Sequence, residues 1–294
     1  MSEFIDIKSK YYPQKLKQIK NPPERLFYKG NLNLLNEISL AIVGTRNITN
    51  YGIKYAKEFT KEIALRDIVV VSGMAKGTDR IAHEETLNAG GKTIAVMGTG
   101  FNRVYPDQNI DIYERIINEN GLIITEYEDN VEFKTKNFPY RNRIVSGLSE
   151  GVLVIEGAYR SGTSITANLA WQQKKKVYAL PGRLDSSYGV GVNMLIQKGA
   201  KLVMNINDIL IDFPELLKRK KRIIIHNNKI KQEYRKIYEL LGDIPISLEE
   251  ISMKTRNNIR CTAKLLTLME IEDLVEQIIG VRVYKENWRM IIKR

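Results

Sequence analysis

Between Leu40 and Asn205 the chain repeats one pattern, a short unbroken apolar run followed by a stretch of helical periodicity. The runs are Leu40–Val43, Ile68–Val71, Thr93–Met97, Leu122–Thr125, Val152–Ile155, Lys176–Leu180 and Lys201–Asn205. Continuous rather than alternating apolar residues mark strands buried on both faces, and strands alternating with helices feed a parallel sheet. Tyr51, Tyr55, Phe59 and Ile63 recur every fourth residue and would form one helix stripe. Further helices are expected at Asp79–Ala89, Asn109–Asn120, Arg141–Leu148, Ser164–Gln173 and Val192–Gln197. The reading is an α/β domain over residues 39–213 with a doubly wound, mostly parallel sheet.

The flanks differ in texture. Residues 1–38 are polar and turn-rich, with Tyr12-Pro13, Asn21-Pro22-Pro23 and Lys29-Gly30-Asn31, and read as an arm laid over the core. Residues 214–230 open on Pro214 and carry the basic run 218–222, the pattern of a solvated linker. Within residues 231–294, one helix is expected around Tyr234, Ile237, Tyr238 and Leu241, ended by Gly242. Leu248–Met253 follows with Ser247 as its cap, then a third helix at Ile259–Met269 and a two-strand ribbon over Leu274–Tyr284 turning at Gly280. That is the order of a small winged helix-turn-helix.

Composition narrows the function classes. The single cysteine, Cys261, reads as a small buried hydrophobe and excludes an intrachain disulfide or a multi-cysteine metal site. His83 and His226 match no metal-ligand spacing, so neither a metal nor a cofactor is expected. No apolar run reaches membrane-spanning length and the first residues lack a signal-peptide core, so the expectation is a cytoplasmic protein with no membrane partner. A net charge of +12 favours a polyanionic partner such as nucleic acid.

Loops rich in Gly, Ser and Thr follow the expected strands at residues 44–46, 72–79, 98–100 and 157–164. In an open α/β sheet these strand ends form the ligand crevice, where glycine admits a phosphate and a helix N-terminus supplies free N–H groups. Tight turns need no ligand, but four such loops on one edge favour an anion. The candidate phosphate-binding residues are Gly44, Thr45, Ser72, Gly73, Lys76, Gly77, Ser161, Gly162, Thr163 and Ser164. Neither a G-x-x-x-x-G-K-[ST] loop nor a full G-x-G-x-x-G is present, which argues against ATP and NAD. Arg46 lies just past the first strand, and Lys134, Lys136, Phe138, Arg141 and Arg143 interleave cations with an aromatic ring. Such a mixture suits single-stranded nucleic acid, neutralising phosphates and stacking bases. The alternative is a surface loop anchored by Phe138. Glu126 and Glu156 each follow a strand, where a catalytic carboxylate or a capping and ion-pairing one would sit equally well.

Six ordered motifs resemble the DNA processing protein A (DprA, or Smf) family. They are Ala41-Ile42-Val43-Gly44-Thr45-Arg46, the run from Ser72 to Asp79, Arg141-Asn142-Arg143 through Ser149, Glu156-Gly157 through Thr163, Ala179-Leu180-Pro181-Gly182, and Gly191-Val192-Asn193-Met194 through Ala200. Tyr12-Pro13 to Gly30 looks like that family's lead-in. Thr78 and Ser164 depart modestly from the usual apolar residues, and the helical N-terminal domain of some relatives is not expected here. The resemblance implies an extended Rossmann-like fold that binds single-stranded DNA, forms homodimers and loads the RecA recombinase in natural transformation, without catalysis. Its C-terminal module would be a winged helix. Two other readings stand beside it: a Rossmann-like nucleotide hydrolase of phosphoribohydrolase type, and a winged-helix regulator of duplex DNA.

Overall fold

The structure is a computed structural model that describes residues 2–131, 134–217, 231–241, 246–271, 275–279 and 288–292. It divides into two compact units, residues 1–222 and 223–294.

In the first unit the strands are β1 (Phe4–Asp6), β2 (Arg25–Gly30), β3 (Ser39–Val43), β4 (Val69–Gly73), β5 (Thr93–Val96), β6 (Leu122–Thr125), β7 (Gly151–Val154), β8 (Lys176–Ala179) and β9 (Lys201–Leu202). They form one sheet in the order β1-β2-β6-β5-β4-β3-β7-β8-β9. From β6 to β9 every pairing is parallel. Strands β3 to β7 are buried at every residue, which is why their sequence is apolar without alternation. The helices are α1 (Gln14–Lys17), α2 (Asn50–Ala64), α3 (Thr78–Asn88), α4 (Ile110–Asn118), α5 (Asn137–Leu148), α6 (Gly162–Gln172), α7 (Ser187–Gln197), α8 (Asn207–Leu210) and α9 (Pro214–Leu217).

Chain order fixes the crevice. From β3 the chain winds outwards through β4, β5 and β6, then crosses back to place β7 on the other side of β3. The strand order therefore reverses between β3 and β7, and the loops leaving these two strands diverge there. Core residues of α2, α3 and α8 cluster on one face, with Phe59, Ile63 and Ala82 against Leu40 and Ile42. On the other face Ile144, Ala167 and Val192, from α5, α6 and α7, meet Ala41, Val43 and Val152.

Several boundaries differ from the sequence expectation. Residues 1–38, expected as an arm laid over the core, also extend its sheet: β2 pairs antiparallel with β6, with Phe27 opposite Thr125, and β1 continues that edge. Prolines and polar side chains are compatible with edge strands, and only pairing with β6 reveals them. Helix α5 starts at Asn137, a turn before the expected Arg141, and holds Pro139 in its first turn where no intrahelical N–H is needed. Helix α7 starts at Ser187 despite Gly189 and Gly191. A Cβ on Gly191 would lie 1.9 Å from the Gly157 carbonyl oxygen, so that glycine serves a close approach of helix to loop. Pro214 opens α9 rather than a linker, and Leu216 packs into the core. The basic run 218–222 and the rest of the expected linker to residue 230 lie outside the described residues.

The second unit contains α10 (Arg235–Tyr238), β10 (Ile246–Ser247), α11 (Leu248–Thr255), α12 (Ile259–Ile271), β11 (Val275–Ile279) and β12 (Trp288–Ile292). Its strands run β10-β12-β11, with β11 and β12 antiparallel. Ser247 Oγ accepts from the Glu250 N–H, the cap read from the sequence. The first helix is shorter than expected, Gly242 and Gly280 lie outside the described residues, and the ribbon's second strand falls beyond Tyr284. Cys261 is exposed rather than buried, since Thr262, Leu266 and Met269 form the inward stripe of α12.

Candidate nucleic-acid interface

A cleft of about 450 Å³ opens where β3 and β7 diverge. The loop after β3 contributes Gly44, Thr45 and Arg46, the end of β4 contributes Gly73, and the first turn of α3 contributes Asp79. Helix α5 adds Phe138 and Arg141, and the start of α6 adds Ser161, Gly162 and Thr163. Three strand-end segments and α5, distant in sequence, thus meet at one sheet edge.

The loops brace one another before they face any ligand. Thr78 donates from its N–H and its hydroxyl to the Thr45 carbonyl, both at 3.2 Å. A Cβ on Gly44 would collide with the Thr78 side chain. Gly77, with φ of 77°, lies against the Thr45 and Arg46 carbonyls, where a side chain would be both strained and obstructed. Ser72 is fully buried and donates to the Ile42 carbonyl at 2.7 Å. Thr45 donates its N–H to Glu156 O, and the Thr163 side chain packs on Gly157. Of the expected phosphate-binding residues, then, Gly44, Ser72 and Gly77 hold the loops together, because the loops pack on one another more closely than a ligand space would require.

What remains open is the start of α6. Ser161 occupies the N-cap position without a side-chain cap, and its Oγ is buried with no partner. No acceptor among the described residues takes the N–H groups of Gly162, Thr163 and Ser164. These donors, with the positive end of the helix dipole, suit an anion. Ser164 Oγ itself turns to the Ala158 carbonyl at 3.4 Å.

The cations divide into two groups. Arg46 is exposed at the cleft rim, 5.9 Å from the Phe138 ring centroid, with no ion pair among the described residues. Beside it Arg46, Lys76, Tyr105 and Phe138 surround a smaller depression. Phe138 lies half-buried against Gly98, its ring 5.3 Å from that of Tyr105. Tyr105 is a site residue the sequence analysis missed; its only signal was the Tyr-Pro turn after the third Gly-rich loop. Lys134 and Lys136 are exposed ahead of α5 and do not line the cleft.

Arg141 and Arg143, expected to meet phosphates, both turn inwards. Arg141 is 4% exposed, donates to the Val96 carbonyl and to Asn142 Oδ1, and forms cleft floor beside Asp79 and Gly73. Burial pushes the Asp79 carboxyl above its ordinary range, and the Arg141 charge opposes that shift. Burial likewise pulls the Arg141 guanidinium down, with Asp79 opposing. Arg143 is 5% exposed and grips Glu126 through two hydrogen bonds of 2.7 and 2.6 Å. It also donates to the Asn21 carbonyl and lies 3.8 Å beneath the Tyr140 ring. Two positions apart on a helix, the two side chains leave on nearly opposite faces, so the spacing did not foretell that both would be buried.

The two carboxylates after strands are also engaged. Glu156 accepts from the Thr49 N–H at 2.9 Å and its hydroxyl at 2.6 Å, at the N-terminus of α2. Glu126 is the partner of Arg143. His83 is fully buried, with Nε2 2.5 Å from the Gly73 carbonyl and Nδ1 2.7 Å from Thr93 Oγ1. Burial lowers its pKa to about 4, so the ring is neutral and Nε2–H donates to the carbonyl.

Residues 3–214 match the family model described as DNA recombination-mediator protein A. The chain is 42% identical over 212 residues to the DNA processing protein DprA of Bacillus subtilis, covering 72% of this chain and 71% of that one. It is 38% identical over 206 residues to protein Smf of Escherichia coli, covering 70% of this chain and 55% of that one. The solved structure of DNA processing protein A from Streptococcus pneumoniae superposes with a TM-score of 0.68 at 39% identity, over 72% of this chain and 74% of the other. That of the Helicobacter pylori protein, described for its single-stranded DNA binding mode, gives 0.65 at 31% identity, over 73% and 99%. With its first unit matched almost throughout, the chain belongs to the DNA recombination-mediator protein A family.

Proposed function

We propose that this chain binds single-stranded DNA and acts as a recombination mediator, protecting the incoming strand and loading the RecA recombinase during natural transformation. The observation that carries the reading is the cleft rim, where the exposed Arg46 and Lys76 flank Phe138 and Tyr105 beside the unpaired N–H groups of α6. A phosphate can meet a cation or helix start while the neighbouring base stacks on a ring. The Helicobacter pylori relative, described for single-stranded DNA binding, supports it. The resemblance extends the proposal to a cytoplasmic homodimer without catalytic activity whose second unit is a winged helix. Glu126 and Glu156, the two carboxylates that follow strands, are engaged by Arg143 and by Thr49, which favours binding over an acid–base reaction.

Titrating single-stranded and duplex oligonucleotides of equal length across a salt series tests the reading. Single strands should bind more tightly at every salt concentration, with a slope set by the phosphates neutralised. Equal affinity for duplex would overturn it and point to the second unit as the reader.

A further inference from the structure

A second groove, of about 320 Å³, lies on the far side of the α6 start and shares Ser161 and Ile165 with the cleft. Two helices build it with matched stripes. Ser161, Ser164, Ile165 and Asn168 come from the start of α6, and Gly191, Met194, Leu195 and Lys198 from α7, each at the i, i+3, i+4, i+7 spacing of one helix face. The close approach at Gly191 sets the 157–159 loop directly on α7, so Tyr159 and Arg160 stand at the head of the groove.

The chemistry there is cationic and aromatic. Tyr159 is 48% exposed. The Arg160 guanidinium carbon lies 5.1 Å from its ring centroid and Lys198 Nζ 6.0 Å from it. Neither cation has an ion pair among the described residues. Elsewhere on this face Lys175, Lys176, Arg183 and Lys201 are paired with Glu150, Asp212 and Asp185, which leaves Arg160 and Lys198 as the cations that face the groove. Two cations without carboxylate partners among the described residues, beside an exposed ring, offer a phosphate its counter-charge and a base its stacking face. Between groove and cleft sits Ser161 Oγ, buried and without a hydrogen-bond partner. A phosphate spanning the two spaces would supply its acceptor.

The geometry points to a second nucleotide subsite: a single strand leaving the cleft crosses the start of α6 and enters the α6–α7 groove, where a base stacks on Tyr159 and flanking phosphates meet Arg160 and Lys198. This rests on the single-strand reading above and extends its footprint.

Two oligothymidylates test it, one of about 5 nucleotides that fills the cleft alone and one of about 15 that spans both sites. Tyr159→Ala should weaken the longer oligomer about tenfold and leave the shorter unchanged, as expected for one lost stacking contact. Lys198→Gln should lower the salt slope of the longer oligomer by about 0.7 and spare that of the shorter. Arg46→Ala serves as the control for the cleft and should weaken both. If Arg46→Ala weakens both while neither groove variant separates the two lengths, the subsite is wrong and the single-strand reading stands. If wild-type protein binds neither oligomer, it is the reading itself that fails. Should Tyr159→Ala leave both affinities intact but shift the sedimentation coefficient, the groove is a contact between copies of the chain and the nucleotide proposal is overturned.

Discussion

Arg46 and Arg143 carry the same charge into very different surroundings. Arg46 stands at the rim beside Phe138 with no carboxylate within ion-pair distance among the described residues, whereas Arg143 is clamped by Glu126 and buried. Arg46→Ala should therefore change unfolding free energy by less than about 0.5 kcal/mol while reducing the single-strand salt slope by about 0.7. Arg143→Ala leaves a buried carboxylate uncompensated and should cost about 3 kcal/mol in urea unfolding, with the salt slope unchanged. The reverse pattern would exchange their roles. His83 makes a pH-dependent prediction. Its folded pKa, about 4, lies below the ordinary 6.5, so the unfolded chain takes up a proton that the folded chain refuses. The stability it contributes is complete above about pH 6.5 and drains away as pH falls towards 4. Unfolding free energy should drop on the order of 2 kcal/mol between about pH 7 and about pH 5 from this group, a component missing in His83→Gln. An unchanged pH dependence in that variant would show the ring to be accessible.

At the level of elements, α2 depends on a residue more than a hundred positions away. Thr49 caps the helix by accepting from the Gly52 N–H, and Glu156 in turn takes the Thr49 hydroxyl and N–H. A carboxylate there complements the helix dipole as well as the free donors. Gly52 is small for the same reason, since a Cβ would lie 2.3 Å from Glu156 Oε2. Glu156→Gln keeps the volume but turns an acceptor into a donor facing the Thr49 N–H, and should destabilise the first unit by about 1–2 kcal/mol in thermal or urea unfolding. Activity lost without any loss of stability would instead mark Glu156 as a catalytic acid. The same pair ties the loop after β3 to the loop after β7, so the cap also sets the width of the cleft.

Over the whole molecule, each unit has its own core. Tyr234, Ile237, Leu241, Ile251, Leu266 and Met269 cluster in the second, apart from the clusters that cover the two sheet faces in the first. Charge divides as well. Residues 1–222 hold 33 Lys and Arg against 24 Asp and Glu, nine of the twelve net positive charges. A chain ending at Arg222 should therefore unfold in one cooperative transition and keep a single-strand affinity that depends on Arg46. Loss of cooperative unfolding would show that the first unit needs the second.

The βα alternation was legible in residues 39–213 because strands buried on both faces must be apolar throughout, and every strand expected there exists within a few residues. The crevice was legible too, since glycine-rich strand ends mark it wherever strand order reverses. Edge strands β1 and β2 were hidden, because an edge is defined by the neighbour it finds rather than by its own residues. So was the direction taken by each cation. Arg46, Arg141 and Arg143 look alike as letters; packing alone placed Glu126 under one, Asp79 beside another and solvent before the third. Sequence by itself determined the layers and the edge where a ligand would sit. The tertiary structure decided which charges face that ligand, because desolvation and pairing depend on neighbours brought together only by the finished fold.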